Sequence, residues 1–461
     1  MSAHLFDVKE HKVAGCHIRE YPGSTVDQED VLYLHVKQYV PHEAQTPRSP
    51  TTNPARDAVT FIAAHAGGMP KEVYEPLWDE MLLRSKEHGF AIRGIWIADV
   101  SNHGMSGVLN EGKNSTDYSW MDHVRDLLLV VNEFRHEMPR PLVGIGHSFG
   151  GNQIVNLALI HPRLFTTLLL LDPVLQHRQP YMGFACTPPG VTNWALHKPD
   201  LFPSRSAAIA TLSTQPPFTR LDPRVLTLYL AHALRPLPTP LYPSIPAALA
   251  SLGLADTHYS PHDPPVTYTT TRTSELLTLN RQNFAAAKGR WNRTTHPDLD
   301  LLSNGWAGSP DRITHPDPDT PPPIFPMYRP EAGLTHARLP QLRPSAFFLL
   351  GRRTWLALDE LRAGIASCGT GVGGSGGVGA GRVESVVLEG QGHFFPLEVV
   401  GECAGRCAGW VGREMERWRG EERAWVEGRK GVDHGRLEGE WFEVIRPPGS
   451  FGRGAKGGAK M

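Results

Sequence analysis

The chain has 461 residues and 40% hydrophobic content, enough for a large core and more than one minimal domain needs, so an insertion or a second domain is expected. A formal net charge of −1 leaves no electrostatic footprint for nucleic acid. No run reaches the roughly 18 to 20 apolar residues of a membrane span, and the opening MSAHLFDVKEHK lacks the apolar segment of a secretory signal.

Residues 31–39, VLYLHVKQY, alternate as a strand does, and the Pro/Thr/Ser-rich stretch 41–57 reads as a surface loop. AVTFIAAH at 58–65 is a nearly continuous apolar run, the pattern of a strand buried on both faces. A helix follows over about 74–88, with Leu77, Met81 and Leu82 on one face, then a second buried strand at 90–98. Residues 118–137 place Trp120, Val124, Leu127, Leu128 and Val131 on one helical stripe. A short strand at 142–146, a helix at 149–160 and a strand at 166–171 continue the alternation. That alternation predicts a mostly parallel sheet with helices on both faces.

The alternation breaks at 175–340, a proline-rich stretch with helical pieces at about 204–213, 222–234 and 272–288 and no buried strand pattern. We read it as a mostly helical lid inserted after the sixth strand, which divides the core into 1–174 and 341–430 and leaves 431–461 as a tail. The sheet resumes at 345–350, followed by a helix at about 355–365, a strand at 385–390 and a charged helix over about 397–427. The glycine-rich run 369–382 lies between a helix and a strand, the wrong order for a dinucleotide loop, and reads as a flexible connector. The five cysteines are too scattered for a disulfide framework, and Cys403 with Cys407 lacks a third and fourth metal ligand.

Gly146-His147-Ser148-Phe149-Gly150 matches G-x-S-x-G where a buried strand meets an apolar helix. Such a turn lifts a serine hydroxyl out of the sheet over a helix N-terminus, so Ser148 is the candidate nucleophile. Stabilising a tetrahedral oxyanion takes two N–H donors. Phe149 supplies one. The loop His65-Ala66-Gly67-Gly68-Met69-Pro70 supplies the other, with Met69 favoured and Gly67 second. Of the 22 histidines, His393 alone follows the last strand, and it is the candidate base; His434 lies in a polar tail with no strand before it. No carboxylate directly follows the strand at 345–350, and Asp359 is too far into a helix, so the candidate acid is Asp172 at the end of the sixth strand. Asp99 and His103, in DVSNHGMSG, read as a structural loop beside the site.

Several stretches together resemble a family. HAGGMPKEVYEPLWDEML at 65–82, DYSWMDHVRDLL at 117–128, GIGHSFGG at 144–151, LLLLDPV at 168–174, RLDPRVLTLYLAHALRPLPTPLYP at 220–243 and GQGHFFPLE at 390–398 are similar to the fungal peroxisomal hydrolases typified by the mycophenolic-acid pathway hydrolase. That group includes host-selective toxin biosynthesis hydrolases and, more distantly, the yeast peroxisomal lipase. Ala233 stands where the group usually has glycine. The resemblance implies an α/β-hydrolase fold, a triad of Ser148, Asp172 and His393, oxyanion donors from Met69 and Phe149, and cleavage of acyl-CoA thioesters or carboxylic esters. A triacylglycerol lipase and a catalytically silent binding protein are the competing readings. No cofactor or metal is implied. Ala459-Lys460-Met461 has the small–basic–Met form of a peroxisomal address, which implies a peroxisomal import receptor as partner and the peroxisome, with the cytoplasm as alternative. The helical tail is a candidate homodimer surface.

Overall fold

The computed structural model describes residues 2–42, 57–176, 190–216, 218–255, 258–282, 284, 327–431, 435–437 and 439–445. Eight strands share one sheet: β1 (Phe6–Ala14), β2 (Tyr33–Pro41), β3 (Val59–Ala64), β4 (Ile92–Ala98), β5 (Leu142–His147), β6 (Thr167–Leu171), β7 (Ser345–Gly351) and β8 (Val383–Leu388). Their order is β1-β2-β4-β3-β5-β6-β7-β8. β2 pairs antiparallel with both β1 and β4, and every later neighbour is parallel. The helices used below are α1 (Glu75–Glu87), α2 (Trp120–Glu133), α3 (Phe149–Ile160), α4 (Val191–His197), α5 (Arg272–Leu279), α6 (Leu358–Ser367) and α7 (Val400–Gly428).

β3, β5, β6 and β7 are buried at every position, as their unbroken apolar runs predict. Alternation within each strand divides them between two cores. Phe61, Ile145, Leu169 and Leu349 face one core with Trp78 and Met81 of α1 and Trp410 of α7. Ile62, Leu168, Leu170 and Phe348 face the other with Leu127 of α2, Ile154 of α3 and Leu361 of α6. By its contacts the chain divides into Met1–Met415 and Glu416–Met461. Every buried residue of α7 lies in the first unit. In the second, Trp425, Trp441 and Phe442 are exposed.

Three features differ from expectation. β1, which makes Thr167–Leu171 the sixth strand, had no position assigned from the sequence; its residues, FDVKEHKVA, show no apolar alternation because most of this edge strand faces solvent. Between β6 and β7, alongside the helices, Leu201–Phe202, Leu234–Pro236 and Val266–Tyr268 form a small antiparallel sheet, and Arg281–Gln282 pairs with Met327–Tyr328. Strands of two or three residues carry no readable period. Arg281–Gln282 also ends the expected 272–288 helix at Leu279; residues 283 and 285–288 lie outside the described residues. The glycine-rich run is tethered rather than free: the N–H groups of Gly369, Gly371 and Ser375 donate to the carbonyls of Leu339, Pro340 and Leu342.

The N-terminus of α2 positions a wall of the site. Glu331 accepts from the Trp120 N–H at 2.9 Å and the Ser119 hydroxyl at 3.1 Å, so it caps this end of the helix. One turn on, Asp126 takes two bonds from Arg19, at 2.8 and 3.0 Å, and the Cys16 N–H at 2.7 Å. Its neighbour Asp122 accepts from the Glu20 N–H at 2.8 Å, but its Oδ2 is buried without a hydrogen-bond partner. Burial, opposed by Arg19 and reinforced by the charge of Asp126, raises Asp122 to about 7. The fold therefore binds a proton there that the unfolded chain has released. This contribution is fully present below about pH 4, is lost as pH rises toward 7, and is gone above it. Asp122→Asn is expected to raise the thermal midpoint at pH 8 relative to wild type and to flatten its fall between pH 4 and 7. Midpoints measured across that range check this.

Candidate active site

Ser148 sits between β5 and α3 at φ 60° and ψ −124°. Asp172, directly after β6, is the other described non-glycine residue at positive φ, 43°. Such backbone conformations cost about 1–3 kcal/mol each and persist only where surrounding bonds impose them. Here the Ser148 N–H donates to the Leu171 carbonyl at 3.0 Å, and the Ser148 carbonyl accepts from the N–H groups of Gly151 and Val174, both at 3.0 Å. The turn also requires glycine on either side. A Cβ at Gly146 would lie 2.4 Å from the Gly150 carbonyl oxygen, and one at Gly150 would lie 2.4 Å from that of Ala64.

His393 follows β8 and reaches both residues. Its Nε2 lies 2.8 Å from Ser148 Oγ and its Nδ1 2.6 Å from Asp172 Oδ2. Asp172 is fully buried, and its other oxygen accepts from the Gly351 N–H at 3.0 Å. The Thr354 hydroxyl donates to Oδ2 as well. An ionised carboxylate only accepts, so the imidazole proton stands on Nδ1, and Nε2 presents a lone pair to the serine hydroxyl. The ring is held between Trp355 and Phe394, with centroids at 4.8 and 5.4 Å. Asp359 is exposed in the first turn of α6, and His434 lies outside the described residues.

The loop after β3 spends its N–H groups one by one. Ala66 donates to the Tyr74 hydroxyl at 2.9 Å, Gly68 to His103 Nε2 at 3.1 Å and Met69 to the Ala66 carbonyl at 3.2 Å. The expectation for Met69 is therefore corrected: its N–H closes a turn within the loop. Gly67 lines the cavity over Ser148 together with Phe149. Asp99 and His103 buttress this loop, Asp99 through Lys71 Nζ at 2.6 Å and His103 through Gly68.

That cavity is narrow, with about 30 Å³ of room for water-sized molecules. Its walls include Trp120, Val174, Trp355 and Phe394, with Val191 of α4 and Leu279 of α5 contributed by the chain between β6 and β7. Trp120 Nε1 ties α5 down by donating to the Thr278 carbonyl at 2.8 Å. Thr354, Trp355, Tyr74 and His147 also meet the site, and none carries a sequence signal for it. Thr354 and Trp355 follow β7 where a carboxylate was sought, and the other two look like ordinary core residues. Among the described residues, no three His, Cys, Asp or Glu side chains converge as metal ligands would, and no helix is long and apolar enough to cross a membrane.

Residues 61–408 match a family described as the alpha/beta hydrolase family. The chain belongs to it. It is 49% identical to the type I acyl-CoA thioesterase mpaH of Penicillium roqueforti, over 100% of this chain and 99% of that protein. Identity to the mpaH thioesterase of Penicillium brevicompactum is 48%, covering 97% of each. Among solved structures, the peroxisomal alpha-beta-hydrolase Lpx1 of Saccharomyces cerevisiae superposes with a TM-score of 0.61 at 17% identity, over 93% of this chain and 99% of that one, a likeness of fold.

Thr354→Val removes the hydroxyl that shares Asp172 Oδ2 with His393. It is expected to lower kcat for p-nitrophenyl ester hydrolysis by about ten-fold, the effect of one lost charge-assisted hydrogen bond. The thermal midpoint should change little, and steady-state kinetics beside a melting curve check both.

Proposed function

We propose that the chain is a serine hydrolase that cleaves acyl-CoA thioesters through an acyl-enzyme, in a secondary-metabolite pathway. The observation that carries this reading is His393 bridging Ser148 Oγ and Asp172, at 2.8 and 2.6 Å, beneath an apolar cavity. The end-to-end likeness to the Penicillium thioesterases supplies the substrate class.

In the proposed reaction, Ser148 Oγ attacks the thioester carbonyl carbon while its proton passes to His393 Nε2. Asp172 keeps the other imidazole proton on Nδ1 and stabilises the imidazolium. The N–H groups of Gly67 and Phe149 take the developing oxyanion; a single donor of this kind is worth about 10²–10³ in kcat. As the tetrahedral adduct collapses, the carbon–sulfur bond breaks and the departing thiolate of coenzyme A takes the proton from His393. Water, deprotonated by His393, then attacks the acyl-enzyme and releases a carboxylic acid and free Ser148.

In this reading the chain between β6 and β7 acts as a lid. Val191 and Leu279 would cover the acyl group and exclude bulk water. The proposed compartment is the peroxisome, with the import receptor as partner. The form of Ala459-Lys460-Met461, which lies outside the described residues, supports this, as does the name of the yeast relative, "Peroxisomal membrane protein LPX1". Exposed Trp425, Trp441 and Phe442 are the residues to substitute first in testing for a homodimer.

Ser148→Ala is expected to lower thiol release from a panel of acyl-CoAs by at least about 10³-fold with an unchanged melting curve. Retained turnover would overturn the reading, and wild-type preference for emulsified triglyceride would make it a lipase. Deleting Ala459-Lys460-Met461 from a fluorescent fusion should move it from peroxisomes to the cytosol; an unmoved fusion contradicts the proposed address.

A further inference from the structure

A chain of buried hydrogen bonds crosses beneath the site and joins the three loops that build it. The Ala66 N–H, in the loop after β3, donates to the Tyr74 hydroxyl at 2.9 Å. That hydroxyl lies 2.7 Å from His147 Nδ1, and His147 Nε2 lies 2.9 Å from the His393 carbonyl oxygen. Tyr74 is 2% exposed and His147 1%, so water does not compete for these groups. The inventory allows one arrangement. A carbonyl only accepts, so His147 Nε2 carries the proton and Nδ1 accepts from Tyr74, whose oxygen in turn accepts from Ala66. Burial, aided by the nearby His393, depresses His147 to about 3, which keeps it neutral in this role.

We propose that Tyr74 and His147 are positioning residues for hydrolysis, setting the Gly67 N–H and the His393 imidazole in register with Ser148. The proposal rests on the serine-hydrolase reading above. Each end of the chain is one covalent step from a working group. Ala66 precedes Gly67, His147 precedes Ser148, and the carbonyl that His147 holds belongs to His393 itself. The His147 and His393 rings also pack at 5.3 Å between centroids, so a shift of one is felt by the other. Neither side chain lines the cavity, so neither is expected to touch substrate.

Geometry this tight governs rate more than binding, and a misplacement of about 1 Å can cost about 10²-fold. Tyr74→Phe removes one oxygen and leaves the apolar ring, including its stack on Trp78, in place. It should lower kcat by about thirty-fold on acyl-CoA and p-nitrophenyl esters alike, with KM within about two-fold. A boronic acid that forms a tetrahedral adduct on Ser148 should bind more weakly by a similar factor, because it too needs the oxyanion donors. His147→Gln keeps an acceptor for Tyr74 and a donor for the His393 carbonyl on one amide, and should recover most of the activity that His147→Phe loses. The proposal is overturned if folded Tyr74→Phe keeps kcat and boronate affinity within about two-fold of wild type, or if His147→Gln is as inactive as His147→Phe. Ser148→Ala in the same assay separates the two levels: activity surviving there would sink the serine-hydrolase reading, not the brace alone.

Discussion

The site depends on two residues held in unfavourable backbone conformations at the carboxyl ends of adjacent strands. Ser148 directly follows β5 and Asp172 directly follows β6, both at positive φ. Left alone, each would relax at a gain of about 1–3 kcal/mol. The sheet prevents it by cross-ties: the Ser148 N–H bonds the Leu171 carbonyl, the Val174 N–H bonds the Ser148 carbonyl, and the Asp172 N–H bonds the Leu349 carbonyl at 2.8 Å. Three such bonds at a net 0.5–1.5 kcal/mol each, roughly, are of the right size to offset the strain. The glycines at 146 and 150 let α3 approach the strands closely enough for the ties to form.

This geometry would suit Asp172, after the sixth strand of the sheet, to the part of the triad acid. The loop after β7 carries no carboxylate, and in its place it offers donors. The Gly351 N–H and the Thr354 hydroxyl both point at Asp172 from the neighbouring strand. β6 and β7 are paired, so a carboxylate on one can be solvated by the loop of the other while His393 reaches it from β8. From the sequence, Asp172 emerged because GRRTW offered no acid. The structure adds that this same segment donates to the Asp172 carboxylate and, through Trp355, walls His393.

The central strands were legible because burial on both faces leaves an unbroken apolar run, as in VTFIAA and TLLLL. The serine turn was legible because its glycines are sterically required. What escaped has equally physical causes. β1 is a charged edge strand without an apolar period. The short strands between β6 and β7 are set by tertiary pairing rather than by propensity. Met69 and Gly67 are two residues apart, and a sequence does not say which way a backbone N–H points. Tyr74 and His147 read as core residues because their significance lies in where their polar atoms end, against Ala66 and the backbone of His393.

The Penicillium relatives match this chain from end to end, yet the cavity over Ser148 is bounded in part by side chains of the segment between β6 and β7. Specificity would follow those walls, while the bond-breaking chemistry would follow the strand ends. The measurement that reaches the chemistry most directly is covalent titration of Ser148. A fluorophosphonate is predicted to add one label per chain, mapped by mass spectrometry to the peptide bearing Ser148, with acyl-CoA hydrolysis falling in proportion to labelling. Label on another residue, or hydrolysis that survives complete labelling, would contradict the account.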